Sequence, residues 1–470
     1  PLLRRAAERN FAARFRLGEF DVRSGGLDTK MYDQGAHAKT AYEAAVQGTV
    51  LLKNLEGFLP IPRSRRIGVI GPQKGANWEA LGDYAAYMNN ANWSASPNIV
   101  TPLQGLEACG LGDRLQAIDG GPYMCSVTDE VVPGFLNYPQ EPDVDVVVAM
   151  AGLYCQDEQE QDPDLRPTKS GKCQAGCLEV EGCDRPNLML PKGQQQLLKR
   201  VQRWGLPIVL AVISGGGIDL SEYERSSDVR AILWMGYPGQ AAGTALARML
   251  FGLDSPTGKL THTIYKNRYA EVVPMNNMNM RPDPSTGYPG RTYRFVDSEW
   301  VLYPFGHGMS YFHWIFRWVP ARGSLAQEGA EDGIEESTEG AEEAGMEEEY
   351  DVAEESEEEA KRFAGCRISV RVRFASGPPA AGVPSTSVLL FLHPPSAARA
   401  GAPTKLLAAF DRVNGQDSVV TFRLRRRHFR LANRRGRFRL QQGVWLATIN
   451  EPAELRQRIN VDHSGCNPRE

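Results

Sequence analysis

Between residues 66 and 251 the chain alternates two kinds of apolar pattern. Continuous runs rich in β-branched residues fall at Arg66–Gly71, Val144–Gly152, Pro207–Ser214 and Val229–Met235. Runs of this kind predict strands buried on both faces. Between them, apolar positions recur at helical spacing: Leu197, Leu198 and Val201 within Gly193–Trp204, then Ala242, Ala245, Leu246, Met249 and Leu250 within Gly239–Phe251. Strand alternating with helix predicts an α/β sandwich domain with a mostly parallel sheet, placed at residues 36–265. Upstream, helical spacing predicts one helix over Pro1–Gly18, with Gly18 as its C-cap, and another over His37–Lys53.

The period changes near the C-terminus. Ile368–Phe374 alternates apolar and polar residues with period two, as do parts of Ser387–Leu392, Val419–Phe422 and Trp445–Ile449. Pro and Gly clusters separate these runs. The pattern predicts an all-β sandwich of the fibronectin type III or immunoglobulin kind over residues 363–465. Residues 1–35 read as a terminal helix and linker. Residues 266–321 are irregular and aromatic-rich, as expected of a segment that covers a sheet.

A chain of 470 residues is long enough for two or three cores. No apolar run approaches the roughly 20 residues of a membrane-spanning helix, so no membrane partner is expected. The formal net charge of −4 conceals an asymmetry. Glu328–Glu359 holds 17 acidic residues and no Lys or Arg, and without it the charge becomes +13. The acidic insert, bounded at 322–362, is expected to be disordered and solvated. The basic excess gathers at Arg423–Arg430 and Arg434–Arg437. An arginine-rich strand edge that pairs with the acidic block is favoured over a nucleic-acid patch. The chain opens at Pro1 with no signal-peptide pattern and reads as a fragment or processed form.

Eight cysteines are present. Cys155, Cys173, Cys177 and Cys183 have unequal gaps that fit no common zinc pattern, so one or two local disulfides are expected and no metal site. The sequon Asn92-Trp93-Ser94 is consistent with secretion.

Several strands end in glycine: Gly152, Gly215–Gly217 and Gly236. In open α/β sheets ligands bind at the carboxyl ends of strands, where glycine lets the backbone be approached closely. The stretch Leu178–Pro191 follows the Val144–Gly152 strand and so belongs to that edge. It sets Glu179, Glu181, Asp184 and Arg185 together just before a helix, a density suited to acid/base chemistry. A solvated acidic turn is the competing reading. Other candidates carry less. Gly68-x-x-Gly71 is not a dinucleotide fingerprint, and no cofactor is expected. Ser214 has Val212 where a nucleophile elbow needs glycine. His307, between two glycines, reads as a structural turn residue.

Taken together, these segments resemble glycoside hydrolase family 3 in its β-xylosidase branch. The resemblance rests on Glu179-Val180-Glu181-Gly182-Cys183-Asp184-Arg185, then Leu188–Pro191 and Gln194–Leu197. In order around them stand Gln47–Asn54, Leu81–Tyr84, Thr101–Gly105, Ser214–Asp219, Gly236–Gln240, Gly258–Leu260, Tyr288–Phe295 and Pro304–Tyr311. It implies a retaining exo-glycosidase acting on terminal β-xylosyl or α-L-arabinofuranosyl residues of xylan-type oligosaccharides, with secretion as the family expectation. By position in the motif, Glu179 is the general acid/base and Glu181 the fallback, with Asp184 and Arg185 orienting the loop. The nucleophile belongs to an N-terminal TIM barrel whose motif these residues do not contain. This chain alone is therefore expected to be inactive. Residues Asp157–Cys177 and the acidic run depart from the family pattern, as do Asp83 and His262, where Asn and Met are expected. A non-catalytic relic or carbohydrate-binding module of the same fold is the alternative.

Overall fold

The computed structural model describes residues 2–20, 34–76, 78–82, 99–119, 141–153, 185, 187–320, 363–378, 382–395, 401–433 and 436–469. Helix α1 (Leu2–Arg16) ends as its sequence predicts. Gly18 takes φ +70° and donates its N–H to Phe15. Helix α2 (Gln34–Gly48) stops short of the expected Lys53, and Val50–Asn54 forms strand β1 instead. Gly48 weakens the helix, and β1 then gains a partner that helical periodicity could not reveal, with Val50 opposite Trp234.

The α/β domain continues with β2 (Ile67–Ile70), α3 (Pro102–Glu107), β3 (Leu115–Ala117), β4 (Val146–Gly152), α4 (Lys192–Gln202), β5 (Ile208–Ile213), α5 (Ser221–Arg225), β6 (Val229–Trp234) and α6 (Ala242–Leu250). Their sheet runs β1-β6-β5-β4-β2-β3, parallel throughout except for β1 at its edge. Side chains of β4 alternate between two cores. Val147, Ala149 and Ala151 pack with Leu197, Leu198 and Val201 of α4. Val146, Val148 and Met150 pack with Leu246 and Leu250 of α6 and Leu106 of α3. Full burial of each large aliphatic side chain contributes about 1.5–3 kcal/mol, which is why these runs lack the alternation of a half-exposed strand.

Chain order reverses at β2, which has β3 on one side and β4 on the other. Such a switch point leaves a crevice outside the carboxyl ends of the strands. Beyond α6, β7 (Ile264–Tyr265), α7 (Arg268–Val272) and β8 (Val301–Tyr303) form part of the aromatic covering segment. In it Tyr265 stacks on Tyr269 at 3.9 Å, and the Tyr269 hydroxyl donates to the Gly290 carbonyl.

The last strands are β9 (His313–Val319), β10 (Cys366–Ser376), β11 (Ser385–His393), β12 (Leu406–Asn414), β13 (Asp417–Leu424), β14 (Arg430–Ala432), β15 (Phe438–Leu440), β16 (Gly443–Ile449), β17 (Leu455–Val461) and β18 (Cys466–Arg469). Two antiparallel sheets, β13-β10-β9 and β12-β11-β16-β17-β18, face each other across Val370, Val388, Leu390, Phe422, Trp445 and Ile459. The expected sandwich limits of 363–465 are widened at both ends. β9 lies before the acidic run and joins by non-local pairing with β10, and β18 adds an outer strand. Of the cysteines expected to pair locally, Cys155, Cys173, Cys177 and Cys183 lie outside the described residues. The disulfide that is described, Cys366–Cys466, is long-range and ties β10 of one sheet to β18 of the other.

Candidate active site

The carboxyl edge of the parallel sheet is held by side chains that follow the strands. Glu179, Glu181 and Asp184 lie outside the described residues, as does Asp83. What the structure describes is the frame on either side of the acidic motif.

On the upstream side is Gly152, the last residue of β4. Gln194, in the first turn of α4, is buried against it. Its Oε1 accepts the Gly152 N–H at 3.0 Å, and its Nε2 donates to the Gly152 carbonyl at 2.8 Å. A side chain at position 152 would not fit: a Cβ there would lie 2.0 Å from the Ile213 carbonyl oxygen.

On the downstream side, Arg185 donates from Nη2 to the Gly217 carbonyl at 2.9 Å. Gly217 lies in the turn that follows β5, and the loop that Arg185 was expected to orient lies outside the described residues. Three residues later a second anchor follows. The Leu188 N–H is accepted by Asn267 Oδ1 at 2.8 Å, and the Leu188 carbonyl accepts the Asp219 N–H at 2.7 Å. Asp219 closes the triangle, because its Oδ2 accepts the Asn267 N–H at 2.6 Å. Its Oδ1 accepts both the N–H and the hydroxyl of Ser221. Both oxygens of this buried side chain are engaged in hydrogen bonds, which lowers the cost of burying it.

Between the anchors lie the tips of β5 and β6. Ser214 Oγ donates to the Gly216 carbonyl and accepts the Trp234 indole N–H at 3.0 Å. Ser214 thus shapes the turn that follows β5. Trp234 meets His262 edge-on at 5.1 Å, and the part-exposed Tyr237 ring lies over Gly215, where a Cβ would approach within 2.7 Å. Of these rings Trp234 is buried in the core, and Tyr237 is the exposed one.

Two ionisable groups near β1 play no part at this edge. His307 sets its Nε2 3.1 Å from the Leu52 carbonyl and stacks on Tyr303. Burial pushes its imidazole below the ordinary histidine range. Lys53 donates its ammonium to the carbonyls of Tyr223, Glu224 and Ser226, at and just beyond the C-terminal end of α5, and burial lowers its pKa. Sequence reasoning missed Gln194, Asn267 and the hub role of Asp219. Gln194 had a readable signal. It lies three, four and seven residues before Leu197, Leu198 and Val201, so it shares their buried face.

The family model described as the glycosyl hydrolase family 3 C-terminal domain matches residues 49–311. A Medicago sativa subsp. varia protein named beta-xylosidase/alpha-L-arabinofuranosidase 2 is 33% identical over 430 residues, covering 89% of this chain and 49% of its own length. Arabidopsis thaliana beta-D-xylosidase 3 is 35% identical over 320 residues, covering 65% of this chain and 36% of its own. Among solved structures, a family 3 exo-beta-xylosidase superposes with a TM-score of 0.67 at 23% identity, covering 91% of this chain and 49% of its own, and shares the fold. The chain spans about half the length of the first of these relatives and of this solved structure, and about a third of the second relative.

Proposed function

This chain belongs to glycosyl hydrolase family 3, and from that membership we propose that it supplies the general acid/base of a retaining exo-glycosidase. The substrate class is terminal β-xylosyl or α-L-arabinofuranosyl residues of xylan-type oligosaccharides, in keeping with the names of the relatives. One observation carries the reading. Gly152 and Arg185, the described residues that precede and follow the acidic motif in the chain, are both hydrogen-bonded at the carboxyl edge of the parallel sheet.

In this reading the Glu179 carboxyl protonates the glycosidic oxygen as the C1–O bond breaks, and a second carboxylate bonds to C1. Glu179, now ionised, takes a proton from water as the water oxygen attacks C1 and the second carboxylate leaves. Glu181 is the fallback for this role. The two carboxyl groups of such a pair stand about 5–5.5 Å apart. The nucleophile comes from a barrel domain outside these 470 residues. Secretion fits the Cys366–Cys466 disulfide, since such bridges persist in oxidising compartments.

The test is an aryl β-xyloside assay of the 470-residue chain and of a form that includes the barrel. The longer form is expected to hydrolyse the substrate with net retention at C1, and the shorter chain to give no turnover. Inversion at C1, or equal turnover by both, overturns the reading.

A further inference from the structure

We propose that the acidic run Glu328–Glu359 docks in cis on the arginine-lined outer face of the three-stranded sheet β13-β10-β9. The face is built by alternation along β10. Cys366, Ile368, Val370 and Val372 point into the sandwich, and Arg367, Arg371 and Arg373 point out. The register then sets like charges side by side. Arg367 lies directly opposite Arg423 of β13, and Arg371 lies directly opposite Arg317 of β9. All four are exposed. Directly opposed residues in an antiparallel pair have Cβ atoms about 4.5–5.5 Å apart, and like charges at that separation destabilise a sheet. Asp417 offsets Arg371 at 3.3 Å. Among the described residues no carboxylate pairs with Arg317, Arg367 or Arg423. The face is short of anions.

Topology supplies them. Strands β9 and β10 are antiparallel neighbours, with Val319 at the end of β9 opposite Ser369. Two such strands are usually joined by about 2–5 residues. Here residues 320–362 join them, carrying the 17 acidic residues of Glu328–Glu359 and no Lys or Arg within that run. The segment therefore leaves this sheet and returns to it one strand away. Its return is placed beside the basic turn after β13. Phe363 packs on Phe429 with ring centroids 6.2 Å apart, and Cys366 lies opposite Leu424, one residue before the exposed Arg425. Both ends of the acidic segment thus join neighbouring strands of the sheet whose outer face it complements. Tethering of this kind gives an effective concentration in the millimolar range, ample for a contact between two multiply charged surfaces. The occupied face is then closed to external polyanions.

The test uses the intact chain. A glutamate-specific protease reports access to the acidic run, with a synthetic peptide of the same sequence as the open reference. At about 20 mM NaCl the run in the intact chain is expected to be cut about tenfold more slowly than the peptide, and at about 500 mM NaCl at close to the peptide's rate, because salt screens the contact. Arg367→Glu combined with Arg423→Glu, two exposed changes, is expected to remove the low-salt protection. Cleavage at the peptide's rate in both salts, or protection unchanged by the double substitution, overturns the proposal. A second measurement uses fluorescein-labelled acidic peptide added in trans. A chain whose residues 326–360 are replaced by a short Gly-Ser linker is expected to bind it at low salt at least tenfold more tightly than the intact chain, whose face is occupied. Equal binding by both, or binding by neither, also overturns the proposal; equal binding would mean a face open to a separate polyanion.

Discussion

Gln194 grips the backbone of Gly152 from both sides, accepting its N–H and donating to its carbonyl. Pairing of β4 with β2 ends at Ala149, and at Gly152 one side chain on α4 engages both backbone groups. Gln194→Met keeps the volume and removes both bonds. Leaving two buried backbone groups unpaired is expected to cost about 2–5 kcal/mol, measured by urea unfolding. Gln194→Glu keeps the shape but sets a carboxylate oxygen against the Gly152 carbonyl, so it is expected to be at least as destabilising as the Met variant. A Glu variant as stable as the parent would contradict this geometry.

His307 gives the fold a dependence on pH. Burial holds its imidazole below the ordinary value, so the unfolded chain binds a proton before the folded chain does. The associated stability is fully present above the unfolded value of about 6.5 and is lost as pH falls through the depressed folded value, at up to about 1.4 kcal/mol per pH unit. His307→Gln keeps a donor for Leu52 and removes the titration. The loss of stability between pH 7.5 and pH 5, read from urea midpoints, is expected to be smaller in the variant, with the remainder carried by groups such as His393. An unchanged difference would show that His307 does not titrate across unfolding.

The Cys366–Cys466 bridge spans a sequence separation of 100 and joins the two sheets of the sandwich. Replacing both cysteines by serine is expected to cost about 2–5 kcal/mol, chiefly by freeing the unfolded chain. Near-ultraviolet circular dichroism follows the loss, because Trp445 is wholly buried in that core. Equal midpoints for the parent and the double variant would mean that the sandwich does not depend on the bridge.

Much of this architecture was legible in the sequence where burial dictates composition. Strands β2, β4, β5 and β6 are continuous apolar runs because helices cover both faces, and β10 alternates because one face is exposed. Strand β1 was not legible. Val50–Asn54 includes Leu51, Leu52 and Lys53, residues at home in a helix, and only its antiparallel partner β6 makes it a strand. Strand β9 was hidden for a different reason, since its partner β10 lies beyond the acidic run. At the candidate site the motif's place after β4 could be read, but its supports could not. Arg185 was expected to orient the loop through Asp184. Asp184 lies outside the described residues; the bond that is described reaches the Gly217 carbonyl, a contact 32 positions away that only the folded chain brings together.

The central claim is that Glu179 is the proton donor, and it is tested most directly by chemical rescue in the form that includes the barrel. With an aryl xyloside whose leaving group needs little protonation, Glu179→Gly is expected to form the glycosyl-enzyme and then stall, because no base activates water. Added azide, which needs no base, is expected to restore turnover by at least about tenfold and to yield β-xylosyl azide. Glu181→Gly is expected to keep ordinary hydrolysis and to form no azide product. Rescue by azide in the Glu181 variant, or hydrolysis without rescue in the Glu179 variant, would contradict the account.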